Sequence, residues 1–241
     1  MSDEKSLKYN EPWILQRADP YVYRHTDGSY YFTASVPAYD GIVLRRAGTL
    51  AELSGAEEVM VWKKHESGPM SYHIWAPEIH YLFGKWYIYF AGGEAEDIWK
   101  IRPYVLECSG DDPLTDEWVE LGKMKRAAED EFSFEAFSLD ATVFENKGEY
   151  YYVWAEKVGV GKMISNLYIA KMESGNQLKT VQVLLTTPDY DWERKGFWVN
   201  EGPAVIHHDG KMFLTYSASE TGVDYCVGML SIDEDADILD P

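Results

Sequence analysis

Residues 140–156 read DATVFENKGEYYYVWAE, and three further stretches of the chain repeat this pattern. Residues 19–35 read DPYVYRHTDGSYYFTAS, residues 78–92 read EIHYLFGKWYIYFAG, and residues 201–219 read EGPAVIHHDGKMFLTYSAS. Each stretch begins with an acid, and successive acids are 59, 62 and 61 residues apart (78 − 19, 140 − 78, 201 − 140). A strand-like repeat of about 60 residues predicts sheets arranged around a common axis.

Each repeat carries the sequence pattern of a four-stranded antiparallel sheet. A short apolar run follows the acid, a turn with glycine comes next, and an aromatic-rich run follows the turn. A third run occurs in all four repeats and a fourth in the first three, the latter at residues 58–63, 117–123 and 181–186. We therefore predict an all-β protein with the architecture of a β-propeller, because a sandwich or jelly roll would not explain the period.

The predicted domain organisation is a single β-propeller catalytic domain over residues 1–241, covering about four blades. The fourth repeat lacks its outermost strand, and an exposed sheet edge is normally covered. Either residues 9–15 (YNEPWIL) supply a strand that closes a four-bladed ring, or the chain is part of a larger propeller. We favour the larger propeller.

The composition narrows the range of partners. The net charge of −19 repels phosphate backbones and anionic lipids, so we expect no nucleic acid and no membrane partner. Aromatic residues make up 15% of the chain, and flat rings suit the apolar faces of sugars. The first ten residues contain no apolar signal core, which predicts a cytoplasmic protein, or a secreted one if a signal peptide has been removed.

The four acids are the candidate functional residues. In a propeller the first strand of each blade lines the central channel, so acids at the start of these strands should surround one mouth of the channel. Two carboxylates beside a pocket suffice to hydrolyse a glycosidic bond, one as a base that activates water and one as an acid that protonates the leaving oxygen. One acid at a strand start is usually a turn residue, but four at one phase favour a functional ring.

Four motifs identify a family that the chain resembles. The segments RADPYVYR (17–24), IWAPEIHYLFGKWYIYF (74–90), SLDATVF (138–144) and NEGPAV (200–205) resemble glycoside hydrolase family 43, in this order and at this spacing. The resemblance implies an inverting enzyme on a five-bladed β-propeller. Within the family, the sequences of residues 65–81, 195–205 and 215–228 are most similar to those of α-L-arabinofuranosidases.

The resemblance implies a role for three of the acids. Asp19 matches the general base, Glu201 the general acid, and Asp140 the carboxylate that tunes and orients the acid. Glu78 belongs to the ring by its place in the repeat, but the resemblance gives it no proton-transfer role. We predict further substrate contacts from the chain's aromatic and polar side chains, namely Trp75, His73, Phe137 and Asn166.

The resemblance also implies parts that this sequence does not contain. In the family a fifth blade follows the point that corresponds to residue 241, and it carries an Arg that binds substrate and a His near the axis. We therefore expect that a second polypeptide could supply a fifth blade. No cofactor is required and no metal ligand is predicted, although the family resemblance leaves room for a calcium ion near the propeller axis.

The predicted function is that of an inverting glycosidase that removes terminal α-L-arabinofuranosyl residues from arabinose-containing oligo- or polysaccharides. β-D-Xylosidase activity on a xylose-containing saccharide is the alternative within the same chemistry, because the same carboxylates serve both sugars. An inactive carbohydrate-binding propeller fragment that needs a partner chain is the alternative from a different class.

Overall fold

Antiparallel strands account for most of the fold, and the computed structural model describes residues 12–160 and 162–240. The first blade consists of β1 (Ala18–Arg24), β2 (Tyr30–Ser35), β3 (Gly41–Ala47) and β4 (Val59–Lys63). The second blade consists of β5 (Tyr72–Leu82), β6 (Lys85–Glu94), β7 (Asp97–Cys108) and β8 (Val119–Lys123). In both blades the strands are hydrogen-bonded in sequence order, as the repeat predicted.

The third and fourth blades share one eight-stranded sheet. The third blade has β9 (Ser138–Asn146), β10 (Glu149–Val160) and β11 (Lys162–Ser174), with β12 (Gln177–Leu178) and β13 (Val183–Thr186) both paired to β11. The fourth blade has β14 (Trp198–His208), β15 (Lys211–Ala218) and β16 (Cys226–Asp233). A short parallel pairing between β11 and β14 joins the two blades, and the repeat pattern did not predict it.

Three of the four inner hairpins turn on a pair of residues with positive φ. These pairs are Phe83–Gly84, Lys147–Gly148 and Asp209–Gly210, with φ between 49° and 78°. Two consecutive positive φ angles define the type I′ turn, whose twist matches that of the flanking strands. The turn glycines in the sequence therefore mark these three hairpins correctly.

Most of the core lies between adjacent blades. One cluster joins the first two blades through buried residues such as Ile42, Ile79 and Trp86, and another joins the second and third blades through Tyr89 and Trp154. The inner strands β1, β5 and β9 contact one another in turn, and β14 contacts β9. Radial packing of this kind places the first strand of each blade next to the axis.

The fourth blade ends on an uncovered strand. β16 forms the end of its sheet, and its side chains alternate between packed and exposed, with Val227 73% and Met229 60% exposed. Pro12–Leu15, the described part of the proposed closing segment, forms bends and no strand, while residues 9–11 lie outside the described residues. The described part of residues 9–15 therefore does not close a four-bladed ring.

Candidate active site

The same β-bulge interrupts the inner strand of every blade. In each case two residues of the inner strand face one residue of the second strand, and the first of the two has positive φ. The four residues with positive φ are Asp19 (50°), Ala76 (44°), Asp140 (51°) and Gly202 (57°). The bulge turns the strand at the level of the acids and so directs their side chains differently from those of a regular strand.

The positions of the bulges show that the four acids are not equivalent, contrary to the alignment that the sequence suggested. Asp19 and Asp140 occupy equivalent positions, but Glu201 precedes the bulge residue Gly202 by one position. Glu78 follows the bulge residue Ala76 by two positions and is the seventh residue of β5. The prediction of one shared phase at the strand start was therefore wrong for Glu78 and Glu201, because an irregular strand shifts side chains by single residues that a 60-residue period does not resolve.

Asp140 and Glu201 lie side by side across neighbouring blades. The backbone N–H of Gly202, the residue after Glu201, donates a hydrogen bond to Asp140 Oδ2 at 3.2 Å. Burial holds the pKa of Asp140 well above its usual value, the negative charges of Glu201 and Asp19 raise it further, and the Gly202 bond opposes them. The structure thus brings Asp19, Asp140 and Glu201 within electrostatic range of one another.

Glu201 occupies a desolvated site with two stabilising neighbours. Burial raises its pKa, the hydroxyl of Tyr225 lowers it by donating a hydrogen bond to Oε1 at 3.0 Å, and the charge of Asp19 raises it again. The ammonium of Lys157 acts in the opposite sense to Asp19. A carboxyl whose pKa is raised by burial retains its proton to higher pH, which is the property that a general acid needs.

Asp19 has a more open environment. Its side chain is exposed, and Oδ2 accepts a hydrogen bond of 2.6 Å from the hydroxyl of Ser35. The same hydroxyl oxygen accepts a hydrogen bond of 2.8 Å from the backbone N–H of Ala76, so the buried Ser35 connects the first two blades. Because water can reach Asp19 while the serine fixes its orientation, the residue is placed to activate a water molecule.

Glu78 is hydrogen-bonded to a neighbouring histidine. Its Oε2 lies 2.9 Å from His80 Nε2, and burial raises its pKa while His80 opposes the shift. The hydroxyl of Thr142 in the third blade also contributes a hydrogen bond to Glu78. Glu78 therefore adds negative charge near Asp140, although its own contacts fix it among the inner strands.

The predicted substrate contacts divide into two groups. Trp75 and Phe137 pack together with Leu139, directly before Asp140, and His73 lies against Trp75 with ring centroids 4.2 Å apart. Asn166 is buried inside β11, where its amide donates to the hydroxyl of Tyr168 at 3.1 Å. The observed hydrogen bond of Asn166 is therefore within β11 rather than to the acids, and its predicted contact with substrate stays a prediction.

Three neighbours of the acids escaped the sequence analysis, namely Ser35, Lys157 and Tyr225. It also missed Trp99, whose ring lies beside those of His73 and Trp75. Ser35 had a recognisable signal, because Thr33–Ser35 and Thr215–Ser217 share a Thr-x-Ser pattern at the same point of the repeat. Lys157 and Tyr225 had none, because Lys157 lies in another blade and Tyr225 lies 24 positions after Glu201 in the β15–β16 loop, so each approaches Glu201 only in the folded chain. Trp99 belongs to a hairpin whose position no motif marks.

Within residues 12–160 and 162–240, no group of three or more His, Cys, Asp or Glu side chains could hold a metal ion. A calcium ion near the axis remains a prediction. In the same ranges no helix is long and apolar enough to cross a membrane.

Bladed antiparallel sheets around an axis, with carboxylates from three blades within electrostatic range of one another, define a β-propeller of the glycoside-hydrolase type. A model of glycosyl hydrolases family 43 matches residues 9–241, and the chain belongs to this family. Solved structures of the family are five-bladed β-propellers, of which this chain covers about four blades.

Curated relatives carry one activity in their names. Two proteins named extracellular exo-α-(1→5)-L-arabinofuranosidase, from Streptomyces chartreusis and Streptomyces avermitilis, are each 48% identical over 97% of this chain. The chain covers 69% of the first relative and 47% of the second. A crystal structure of α-L-arabinofuranosidase from Lactobacillus brevis is 53% identical with a TM-score of 0.86, over 95% of this chain and 72% of that one.

The prediction of a cytoplasmic location is wrong. Both Streptomyces relatives are named extracellular, which indicates a secreted protein. The inference from the first ten residues failed because signal peptides are removed from mature proteins, so the lack of an apolar signal core does not determine where a protein is located.

Proposed function

We propose that this chain carries the catalytic acids of an inverting, exo-acting α-L-arabinofuranosidase. The observation that supports the proposal most directly is the hydrogen bond from Gly202 N–H to Asp140, because it joins the acid-bearing strands of two blades. The names of the relatives favour terminal α-L-arabinofuranosyl residues of arabinose-containing glycans as substrate. A xylosidase in the family is only 16% identical, and that likeness concerns the fold alone.

The roles of the acids follow from their environments. Asp19, exposed and oriented by Ser35, acts as the base that removes a proton from water as it attacks the anomeric carbon. Glu201, with its pKa raised by burial, gives its proton to the leaving oxygen. Asp140 orients the Glu201 segment through Gly202 N–H and adds negative charge that disfavours early ionisation of Glu201. A single displacement by water inverts the anomeric configuration.

A further sheet completes the propeller in this proposal. The uncovered β16 and the exposed apolar side chains of the fourth blade require a covering element, which the natural polypeptide or a second chain would supply. Activity assays should therefore use the full natural polypeptide that contains residues 1–241.

Glu201→Gln and Asp19→Asn separate the two roles. On α-(1→5)-L-arabinobiose, Glu201→Gln should lower kcat by about 10²- to 10⁴-fold, the usual contribution of a general acid. On a nitrophenyl arabinofuranoside its loss should be smaller, because nitrophenolate leaves with little protonation. Asp19→Asn should reduce both reactions strongly, because water attack is needed in each.

The control is Glu145→Gln, an exposed glutamate further along β9 that should leave both rates unchanged. Equal losses in Glu201→Gln on the two substrates would remove Glu201 from the role of proton donor. Saccharide binding without any turnover by the full polypeptide would favour the inactive carbohydrate-binding alternative.

A further inference from the structure

An aromatic surface lies on the second blade and on the adjoining β2–β3 loop of the first blade. This aromatic wall consists of Tyr39, Tyr72, His73, Trp75 and Trp99. The ring centroids of its three central members form a triangle with sides of 4.2 Å (His73–Trp75), 5.1 Å (His73–Trp99) and 6.4 Å (Trp75–Trp99). Tyr72 packs edge-on against His73 at 4.4 Å.

The inner end of the aromatic wall is attached to the active site. Trp75 and Phe137 both pack against the buried cluster of Ala91, Ile101 and Leu139, and Leu139 directly precedes Asp140 in the sequence. The ammonium of Lys157 lies 3.8 Å from the centroid of the Phe137 ring and also influences Glu201. The wall is therefore continuous with the side chains around the catalytic acids.

The outer end of the wall is open to solvent. Trp75 is partly buried, whereas Trp99 is 61% exposed and Tyr72 is 40% exposed. Burial lowers the pKa of His73, so its ring is neutral at neutral pH and the centre of the wall carries no charge from it. An exposed, uncharged aromatic surface next to a site is suited to a ligand with apolar faces and no charge, such as a sugar ring.

We propose that Trp99 binds the arabinosyl unit on the leaving-group side of the scissile bond. This inference rests on the proposed exo-acting function. When the terminal arabinosyl unit is bound at the catalytic acids, every remaining unit of the glycan must extend outward on the leaving-group side. A sugar that contacts Trp99, beyond Trp75, is therefore part of the leaving group, and Trp99 favours oligosaccharides over isolated arabinofuranosides.

Binding measurements separate this role from catalysis. In a Glu201→Gln background, calorimetry with α-(1→5)-L-arabinotriose should give a Kd about tenfold weaker after Trp99→Ala, equivalent to ~1.4 kcal/mol. The Kd of methyl α-L-arabinofuranoside should change less than about twofold, because its single sugar binds at the acids and does not reach Trp99. Trp99→Phe keeps a flat ring and should recover most of the affinity for the triose.

Phe83→Ala is the matched control. Phe83 is 43% exposed at the β5–β6 turn, at the far end of β5 from Tyr72, a strand length of roughly 33 Å. It should leave the affinity for the triose unchanged. Equal affinity of the Trp99→Ala variant for the triose, or an equal loss for both ligands, overturns the inference, as does a change in protein assembly without a change in sugar affinity. Because these measurements need no turnover, a loss confined to the triose supports the role of Trp99 even if the natural polypeptide hydrolyses neither substrate of the previous tests.

Discussion

Lys157 is the residue whose charge has the clearest consequence for catalysis. It lies in the third blade, its ammonium packs on the ring of Phe137, and it lowers the pKa of Glu201 in the fourth blade. Burial lowers the pKa of Lys157 in turn, while Glu201 raises it. Two opposing effects therefore set the pKa of the proposed general acid: burial favours its protonated form, and the cation favours its ionised form.

Lys157→Met should shift the alkaline limb of the pH profile to higher pH. Removal of the cation destabilises the ionised form of Glu201, so its pKa rises and the acid keeps its proton over a wider range. The measurement is kcat/KM against pH on arabinobiose. Lys171→Met, which removes a cation packed over Tyr151 instead, should leave the limb in place. A shift to lower pH on loss of Lys157 would contradict the assigned interaction.

At the residue scale, the sequence motifs selected Asp19, Asp140 and Glu201, which lie within electrostatic range of one another. They also selected Trp75 and Phe137, which pack against the same buried cluster. They did not locate Ser35, Lys157 or Tyr225, since each acts on an acid that is at least 16 positions away in the sequence. A motif records short spacings, whereas the Ser35 and Tyr225 contacts depend on the folding of one blade and the Lys157 interaction depends on how two blades meet.

At the scale of the elements, the repeated β-bulge explains how four similar strands present different side chains. The bulge places Asp19 and Asp140 in a left-handed backbone conformation, which aspartate tolerates better than most residues. In the fourth blade glycine takes this position, and the acid precedes it. Because Gly202 has no side chain, its backbone N–H can approach Asp140 closely. A Cβ atom at position 202 would lie 3.4 Å from Ser217 Oγ.

Gly202→Ala should destabilise the protein by about 1–2 kcal/mol, because an L-residue pays this cost at positive φ. Thermal unfolding should show a fall of roughly 2–4 °C per kcal/mol for a chain of this size. Activity should fall as well, because the Asp140–Gly202 hydrogen bond depends on this backbone geometry.

Gly55→Ala is the control for this substitution, since a Cβ at Gly55 meets no atom within 4 Å and the residue lacks positive φ. An unchanged melting temperature in Gly202→Ala would show that the bulge is not strained by a side chain.

At the scale of the whole molecule, the outer face of the fourth blade distinguishes it from the other three. Its exposed apolar residues Ile206, Val227 and Met229 lie on strands that have no covering sheet among the described residues. Single exposed apolar side chains are ordinary, but a cluster on an open sheet edge favours association.

Residues 1–241 prepared alone should therefore self-associate, and Val227→Thr combined with Met229→Lys should reduce this association. Light scattering or size-exclusion chromatography over a range of concentrations measures the effect. The paired substitution Val119→Thr and Met163→Lys, at exposed positions elsewhere, serves as the control. Monomeric behaviour of the unsubstituted chain at high concentration would argue against an incomplete surface.

The period of the acids, the turn glycines and the strand-forming runs specify the all-β propeller architecture, because local hydrogen bonding and side-chain alternation depend on neighbouring residues. The motifs around Asp19, Asp140 and Glu201 specify the chemistry in the same local way. The relative positions of the acids, the parallel pairing between β11 and β14, and the influence of Lys157 on Glu201 arise only when the blades pack. The contacts of Tyr225 and Trp99 arise only when distant segments of one blade fold together. The relative positions of the acids depend on bulges that shift a strand by one residue and on distances between blades, and neither is encoded in any single stretch of the chain.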